Sequence, residues 1–501
     1  MQFIQKLKQN YNEQPLLFIF GTGAFVRLLA ALFSGGYIAS DDHFLVLHIA
    51  FRWLHGDPAW QNDPNYSGQS LLYPGAHYLF LRLCHSVGLT NTLTIVTLVR
   101  LLHAIWSLPV IWLGYKFVER LEGIDAAKLA GWLLALLWVE PIFSVRQLPE
   151  VVSAVPLFAS LVMAERIEKK GTAVEWIAAG ILLGIGFDLR YQVGFCGVGV
   201  FAALLLTKRP MAAMWYTIGA LIGTTPLLLV NQLYLGSPLA SPIAYLQYNA
   251  SGAMWTYITR PWYNYLLLIL GAFVPPFSFL ILTGFFRAIR RAPLMFAATF
   301  VFLLIHSIIP NKQERFIGTI IPELVVLGVI GIYIWLNSPR KKLSPRFLRI
   351  SLVIFWCLNL PLMALTVFTY NKRAQILSLA SLQSKTELRG VVLDEREKDF
   401  LAPWFYLGDA WSKNKFLVEV KNDKDYQTVF EEAKQGQAPA DYVIIYLEKN
   451  REQRKQSWES VFGKLVEEQR IAPSFVDELL HKMNPKYNPS FDAVVYRIVR
   501  K

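Results

Sequence analysis

The sequence predicts an α-helical polytopic membrane protein with a small soluble α/β domain at its C-terminus. Three observations carry this. Of 501 residues, 54% are hydrophobic and 17% charged, more apolar and less charged than soluble domains run. Apolar stretches near the roughly 20 residues that cross a hydrocarbon core recur until Tyr370. Beyond Tyr370 the composition turns abruptly charged and mixed.

The segment Met1–Gln14 is polar and too long for the n-region of a signal peptide, and no small-residue cleavage site follows Phe33. The first apolar run therefore reads as a retained span. Candidate spans cover 15–35, 93–117, 125–140, 148–166, 173–189, 192–206, 211–232, 263–286, 293–309, 316–337 and 349–369, about eleven in all. Leu71–Cys84, interrupted by Pro74, His77 and Arg82, reads as a helix lying along the interface. Alternate loops then carry Lys6/Lys8, Lys116/Arg120, Arg166/Lys169/Lys170, Lys208/Arg209, Arg287/Arg290/Arg291 and Arg340/Lys341/Lys342/Arg346. The positive-inside rule places all of these in the cytoplasm, the N-terminus inside and the tail outside. The expected domains are a transmembrane module, 1–370, with an extracytoplasmic loop at 36–90, and an extracytoplasmic α/β domain, 371–501.

The net charge of +13 lies mostly in these short loops, so it reads as a topology determinant and argues against nucleic acid. Cys84, Cys196 and Cys357 fall in separate apolar segments without CxxC or Cys/His spacing, so neither a disulfide framework nor a zinc site is expected. His43, His48 and His55 lack the spacing of ligands on one helix face. Gly184-x-Gly186 follows no strand, so it reads as close helix packing rather than a nucleotide site.

The outer face collects a different set of groups. Asp41 and Asp42 follow the first span; Gln69 to Pro74, with Tyr73, lies in the same loop. Arg146 to Glu150, Asp188 to Gln192, the loop from Asn231 to Tyr265, and Asn311 to Phe316 all mark span ends. Two adjacent acids beside a membrane are either an N-cap or a functional pair. Charge rules do not account for Arg146, Arg190, Lys312 and Arg315 on this side. Local ion pairs, Arg146 with Glu150 and Lys312 with Glu314, or snorkelling would explain each singly. Four cations on one face, opposite paired acids, favour an anionic ligand, and phosphate suits guanidinium forks and a lysine point charge.

In the tail, Val391–Asp394, Phe416–Val420, Tyr442–Leu447 and Ala493–Val499 read as strands. Tyr426–Lys434, Lys455–Lys464 and Phe475–Lys482 read as helices between them. No Gly-rich phosphate loop or nucleophile-base set is present there.

The outer-face motifs resemble the integral-membrane GT-C glycosyltransferases, specifically the family 22 mannosyltransferases of GPI-anchor and N-glycan assembly. That family's first-loop His-Pro-Asp-Glu is matched by Ala39-Ser40-Asp41-Asp42, without the His-Pro. Its Arg-Ser-x-Leu-Tyr-Pro is matched by Gln69-Ser70-Leu71-Leu72-Tyr73-Pro74. Arg146 to Glu150, Asp188-Leu189-Arg190, Tyr234 to Ser237, Tyr248-Asn249 and Arg260-Pro261-Trp262-Tyr263 follow in order. The last motif, Pro-His-Lys-Glu-x-Arg-Phe, is matched by Pro310 to Phe316, with Asn311 for His, then Pro322. The tail does not resemble the eukaryotic members, which points to a bacterial relative in the cell membrane with its site facing outward; a eukaryotic member would sit in the ER membrane.

The resemblance implies an inverting transfer of a sugar, mannose in this family, from a polyprenyl-phosphate sugar donor to a lipid-linked glycan or glycolipid acceptor. It implies no cofactor and no metal. Asp41 takes the position of the base, with Asp42 beside it orienting the acceptor. Lys312 and Arg315 are the expected phosphate ligands, with Arg190 and Arg146 as further candidates and Glu150 at the same site. Tyr73, Trp262 and Tyr263 would pack the substrate, although an interfacial aromatic belt also explains the latter two. The rival is a transporter or flippase of lipid-linked sugars, which would place ionisable groups near the midplane of several spans; here the span centres read as apolar. A scaffold presenting the tail would leave the outer-face motifs unused.

Overall fold

A computed structural model of the chain describes residues 11–56, 68–253, 255, 258–339, 342–385, 388–396, 400–413, 416–447, 450–485, 488 and 490–499. Lys6, Lys8, Asp57, Pro58, Arg340 and Lys341 lie outside these residues, as does the side chain of Asp41. The chain divides into two compact units. The first comprises Met1–Ala31, Gln61–Gly75 and Arg100–Val367; the second comprises Leu32–Trp60, Ala76–Val99 and Phe368–Lys501. The loop 36–90, expected with the transmembrane module, instead lends most of its residues to the second unit.

The first unit is helical throughout its apolar runs. Among the described residues, Pro15–Phe33, Thr92–Glu122, Pro210–Leu235, Glu314–Leu336 and Pro345–Val367 are long and apolar enough to span, and the pair Asn264–Ala272 and Phe277–Arg290 makes up to six. That pair is bent by 117° rather than forming the straight span expected over 263–286. Pro275-Pro276 stands at the break, where neither residue can donate a helical hydrogen bond. The other expected runs are the shorter helices Ile124–Leu136, Ala173–Leu189, Val193–Leu206 and Pro293–Ile308, and Pro149–Ile167, which is as long as Pro15–Phe33 but carries Glu150, Glu165 and Arg166. Among the described residues, length and apolarity alone therefore do not reach eleven spans.

Small residues let two of these helices meet backbone to backbone. Gly180 and Gly184 of Ala173–Leu189 face Gly219 and Gly223 of Pro210–Gly223; a Cβ on Gly184 would lie 2.3 Å from the Ala220 carbonyl oxygen, and one on Gly219 2.2 Å from that of Ile177. The glycine spacing is that of a membrane helix pair, so Gly184 is a packing residue, as its sequence context suggested. Because the obstacle is backbone, no side chain can yield. Gly184→Val is expected to destabilise the detergent-solubilised protein by about 1–3 kcal/mol or more, seen as a lower thermal midpoint. Gly21→Ala, where nothing lies within 4 Å of the added carbon, should leave the midpoint unchanged.

The second unit is built on a five-stranded sheet of β1 (Gly390–Asp394), β2 (Phe416–Val420), β3 (Tyr442–Leu447), β4 (Lys464–Ile471) and β5 (Asp492–Val499), in the order β2-β1-β3-β5-β4. β1 runs parallel to β2 and β3, whereas β5 is antiparallel to β3 and β4. Alternation along the strands sends Val392, Val443, Ile445, Val494 and Tyr496 to one face, where Tyr426, Val429, Trp458 and Phe462 of the helices Asp423–Lys434 and Arg451–Phe462 cover them. Val391, Leu393, Ile444, Tyr446 and Val495 point the other way. They join a core with Leu47, Phe51, Leu81, Ile95, Ile376, Leu379 and Phe405. The segments between the first apolar runs thus serve as the second layer of the sheet domain. β4 was not expected: its sequence KLVEEQRI buries only Leu465 and Ile471 fully. Charge on an edge strand hides the alternating pattern and protects the edge.

Candidate active site

The first unit gathers a buried ion cluster from three distant segments. Glu150 lies in the first turn of Pro149–Ile167, where Pro at the first position opens the helix and its positive end favours a carboxylate. Arg190 follows the helix Ala173–Leu189 in extended conformation. Arg315 lies in the tight turns of Glu314–Ile320. Glu150 Oε1 meets Arg190 Nη1 at 2.5 Å and Arg315 Nη1 at 3.5 Å, with all three side chains buried. The ring of Phe316 faces both guanidiniums, at 5.1 Å from Arg190 and 5.4 Å from Arg315. Here one carboxylate faces two buried guanidiniums. Arg190 Nε and Nη2 and Glu150 Oε2 are buried without a partner among the described residues. Unmet donors of this kind are costly and call for an acceptor.

Lys312 is held differently from the phosphate ligand expected of it. The segment around it pairs with residues 258–260, Lys312 N–H donating to the Ile258 carbonyl at 3.0 Å. Its ammonium donates to the carbonyls of His306 and Ser307, each at 2.9 Å, and to that of Ile309. These carbonyls end the helix Pro293–Ile308, whose negative pole attracts a cation. An ammonium has three N–H donors, and here all three are in use. Burial also lowers the Lys312 pKa.

Arg146 is fully buried just before Pro149–Ile167. Asp188, beside Arg190 in sequence, accepts from the Leu227 N–H at 3.3 Å, which ties it to the first turn of Thr225–Leu235. Tyr73 is buried, with its hydroxyl 2.5 Å from His103 Nε2. Trp262 and Tyr263 are 70% and 44% exposed and pack edge to face on each other.

In the second unit the acid pair occupies a helical turn, Ser40–Asp42, that runs into a π-helical turn, His43–Leu47. Such turns inside helices recur at functional sites. Asp42 is 0% exposed, and its Oδ2 accepts the Ile38 N–H at 3.1 Å, closing the turn that carries Asp41. His43 is sandwiched between Tyr37, at 5.1 Å and 13°, and Tyr406, at 5.3 Å and 7°.

Burial, and then the neighbouring His48, push the His43 pKa well below its ordinary value. The unfolded chain binds a proton at His43 below about pH 6.5 that the folded chain refuses, so stability falls as pH drops through that value. The expected slope is about 1.4 kcal/mol per pH unit below 6.5. Thermal melts between pH 7.5 and 5.5 should show this component, and His43→Phe should remove it.

Sequence reasoning missed ionisable groups inside the spans, which it read as apolar. Arg27 of Pro15–Phe33 is buried and donates to Ser107 Oγ, the Ala135 carbonyl and the Leu134 carbonyl, each at 3.0 Å; Glu140 lies 3.7 Å away. Glu323 is buried in the first turn of Ile321–Leu336. A lone Arg within a long apolar run was the available signal.

Comparison with known proteins agrees with this architecture. Residues 18–396 match the Alg9-like mannosyltransferase family. The mouse alpha-1,2-mannosyltransferase ALG9 is 24% identical over 335 residues, 61% of this chain and 52% of that protein. The human protein of the same name is 22% identical over 338 residues, covering 62% and 54%. The chain thus spans about half the length of these curated relatives. The structure of ArnT from Cupriavidus metallidurans bound to undecaprenyl phosphate superposes with a TM-score of 0.60 at 13% identity, covering 97% of this chain and 98% of that one. The apo Archaeoglobus fulgidus oligosaccharyltransferase gives 0.52 at 12% identity, covering 90% and 71%. At such identities the likeness is one of fold, that of the multi-pass GT-C membrane proteins. With a match that runs through most of its length and takes in every outer-face motif, the chain belongs to the Alg9-like mannosyltransferase family.

Proposed function

We propose that this protein is an inverting glycosyltransferase that moves mannose from a polyprenyl-phosphate mannose to a lipid-linked glycan or glycolipid acceptor on the extracytoplasmic face. The observation that carries the reading is the buried Glu150–Arg190–Arg315 cluster, with the unmet donors of Arg190. A phosphate oxygen is the acceptor such donors fit. In a single displacement the acceptor oxygen bonds to the anomeric carbon as the carbon–oxygen bond to phosphate breaks. The hydroxyl proton passes to a carboxylate, and Asp41 is the base in this reading. The leaving phosphate gains negative charge, which preorganised guanidiniums stabilise most in the transition state. Arg190 and Arg315 take that role, whereas Lys312 holds the loop that bears Arg315. Asp42 positions the turn of Asp41. Nothing in this displacement requires a metal or cofactor.

An apolar groove of about 510 Å³ lined by Leu183, Phe187, Val198, Phe201, Leu221 and Leu228 offers room for an aliphatic chain of the polyprenyl type. The outward orientation rests on the loop charges. Membrane-impermeant thiol labelling from outside should reach Ser384→Cys and spare Ser344→Cys; the opposite pattern would turn the site to the cytoplasm.

The ionisable groups buried within spans, Arg27 and Glu323, suit the transporter reading. Purified protein in detergent, given a polyprenyl-phosphate mannose and a lipid-linked glycan, separates the two. Release of polyprenyl phosphate with a heavier glycan supports transfer, and an unchanged donor at all enzyme concentrations sinks it. Without a closed compartment, a transporter leaves both substrates intact.

A further inference from the structure

Three side chains far apart in sequence, His55, His85 and Asp409, converge in the second unit with their ligand atoms within 4.8 Å of one another. Each stands at a helix end. His55 follows His48–Leu54, His85 lies in the last turn of Leu72–Ser86, and Asp409 opens Asp409–Lys413. His85 Nδ1 is 3.0 Å from the Leu81 carbonyl oxygen; a carbonyl only accepts, so the proton of neutral His85 is on Nδ1 and the lone pair on Nε2. That Nε2 is 3.1 Å from Asp409 Oδ1, one acceptor against another. Asp409 Oδ1 is also 3.7 Å from His55 Nε2.

Two acceptors at this separation need a positive particle between them. A second proton on His85 would serve that pair alone, whereas a metal ion serves all three groups. Bonds of about 2.0–2.2 Å from zinc to nitrogen and oxygen set neighbouring tetrahedral ligands about 3.3–3.5 Å apart. The two separations to Asp409, 3.1 and 3.7 Å, bracket that value. The Nδ1–H to carbonyl bond is also the outer contact that fixes the tautomer of a metal-bound imidazole. Phe51 wedges against the site, its ring 4.5 Å from that of His55, and Trp411 stacks on it at 5.5 Å. The ligands keep partial exposure, 34% for the Asp409 side chain and about a fifth for each His, so an ion can enter from solvent.

We propose that His55 Nε2, His85 Nε2 and Asp409 Oδ1 bind one zinc ion, with water in the fourth position, and that the ion clips together three segments of the second unit. Two imidazoles and a carboxylate with no thiolate suit zinc among the common divalent ions, since calcium and magnesium take oxygen ligands. The site is separate from the proposed transfer chemistry and does not depend on it.

The test uses the full-length, tag-free chain in detergent, stripped with a chelator and dialysed against zinc chloride. Elemental analysis should find about one zinc per chain, and the thermal midpoint should rise on zinc addition. His85→Gln and Asp409→Asn should each lose both the zinc and the shift. Cobalt(II) in place of zinc should give the visible absorption of a low-symmetry nitrogen–oxygen site in the unmutated protein, a readout that does not depend on any variant folding. Neither zinc nor a cobalt spectrum in the unmutated chain would overturn the proposal and leave a histidine–aspartate hydrogen bond. Zinc retained undiminished in both variants would overturn it too, since the ion would then lie elsewhere.

Discussion

Asp41→Asn is expected to lower turnover by about 10²–10⁴-fold, the usual contribution of a general base, with the Michaelis constant for donor nearly unchanged. Asparagine keeps the size and polarity of the side chain and loses only the capacity to accept the acceptor's proton. The companion change, Asp42→Asn, is expected to act more gently. Asp42 is buried and spends one oxygen on the Ile38 N–H, and an amide oxygen can accept that same bond. Its effect should appear as a modest loss of rate and thermal stability together. The pH dependence supplies the sharper readout. If Asp41 is the base, the acidic limb of the rate profile disappears in Asp41→Asn and persists in Asp42→Asn. Full turnover in Asp41→Asn with none in Asp42→Asn would exchange the two roles. Full turnover in both would remove this turn from the chemistry.

The helices were legible because an apolar run of span length has few other uses, and each expected run meets a helix among the described residues. Where the reading fell short, the cause is physical. Hydropathy does not register a bend, so the break between Asn264–Ala272 and Phe277–Arg290 read as one span. β4 was lost because an edge strand carries its charges where a periodic pattern should show. The segments around Phe51 and Leu81 read as loop and interfacial helix, since amphipathic sequence says that a face is covered without saying by what. Here it is a sheet formed from residues beyond 390.

The residues of the buried cluster stood out singly in the sequence, but their pairings did not. Sequence neighbours suggested Arg146 with Glu150 and Lys312 with Glu314. In the fold, Glu150 meets Arg190 and Arg315, and the Lys312 ammonium closes a helix end. Local spacing cannot rank a partner brought in by another helix. The same limit hid the trio of His55, His85 and Asp409, since metal-ligand patterns are read at short spacing and these ligands come from three segments.

Arg190 is the residue at which a structural and a functional account diverge most, and a paired substitution separates them. Arg190→Met alone leaves Glu150 facing Arg315 at 3.5 Å. Breaking a buried pair from one side typically costs about 3–5 kcal/mol, so a loss of activity in this variant is ambiguous. Adding Glu150→Gln removes the stranded carboxylate. The double variant also keeps the net charge of the cluster, because one positive and one negative charge leave together and Arg315 remains. Its thermal midpoint should recover most of the loss. If Arg190 only neutralises Glu150, activity recovers with the fold. If its buried Nε and Nη2 donors hold the donor phosphate, stability returns while kcat/KM stays low by on the order of 10²–10³-fold, the cost of removing one preorganised donor from a developing anion. That loss should divide between a raised donor KM and a lowered kcat, since a cation on phosphate acts in the ground state and more strongly in the transition state. Arg190→Lys would restore charge without the two-pronged donor geometry and should rescue only in part. Full activity in the double variant would return the cluster to a purely structural role and leave the phosphate site to be sought elsewhere in the first unit.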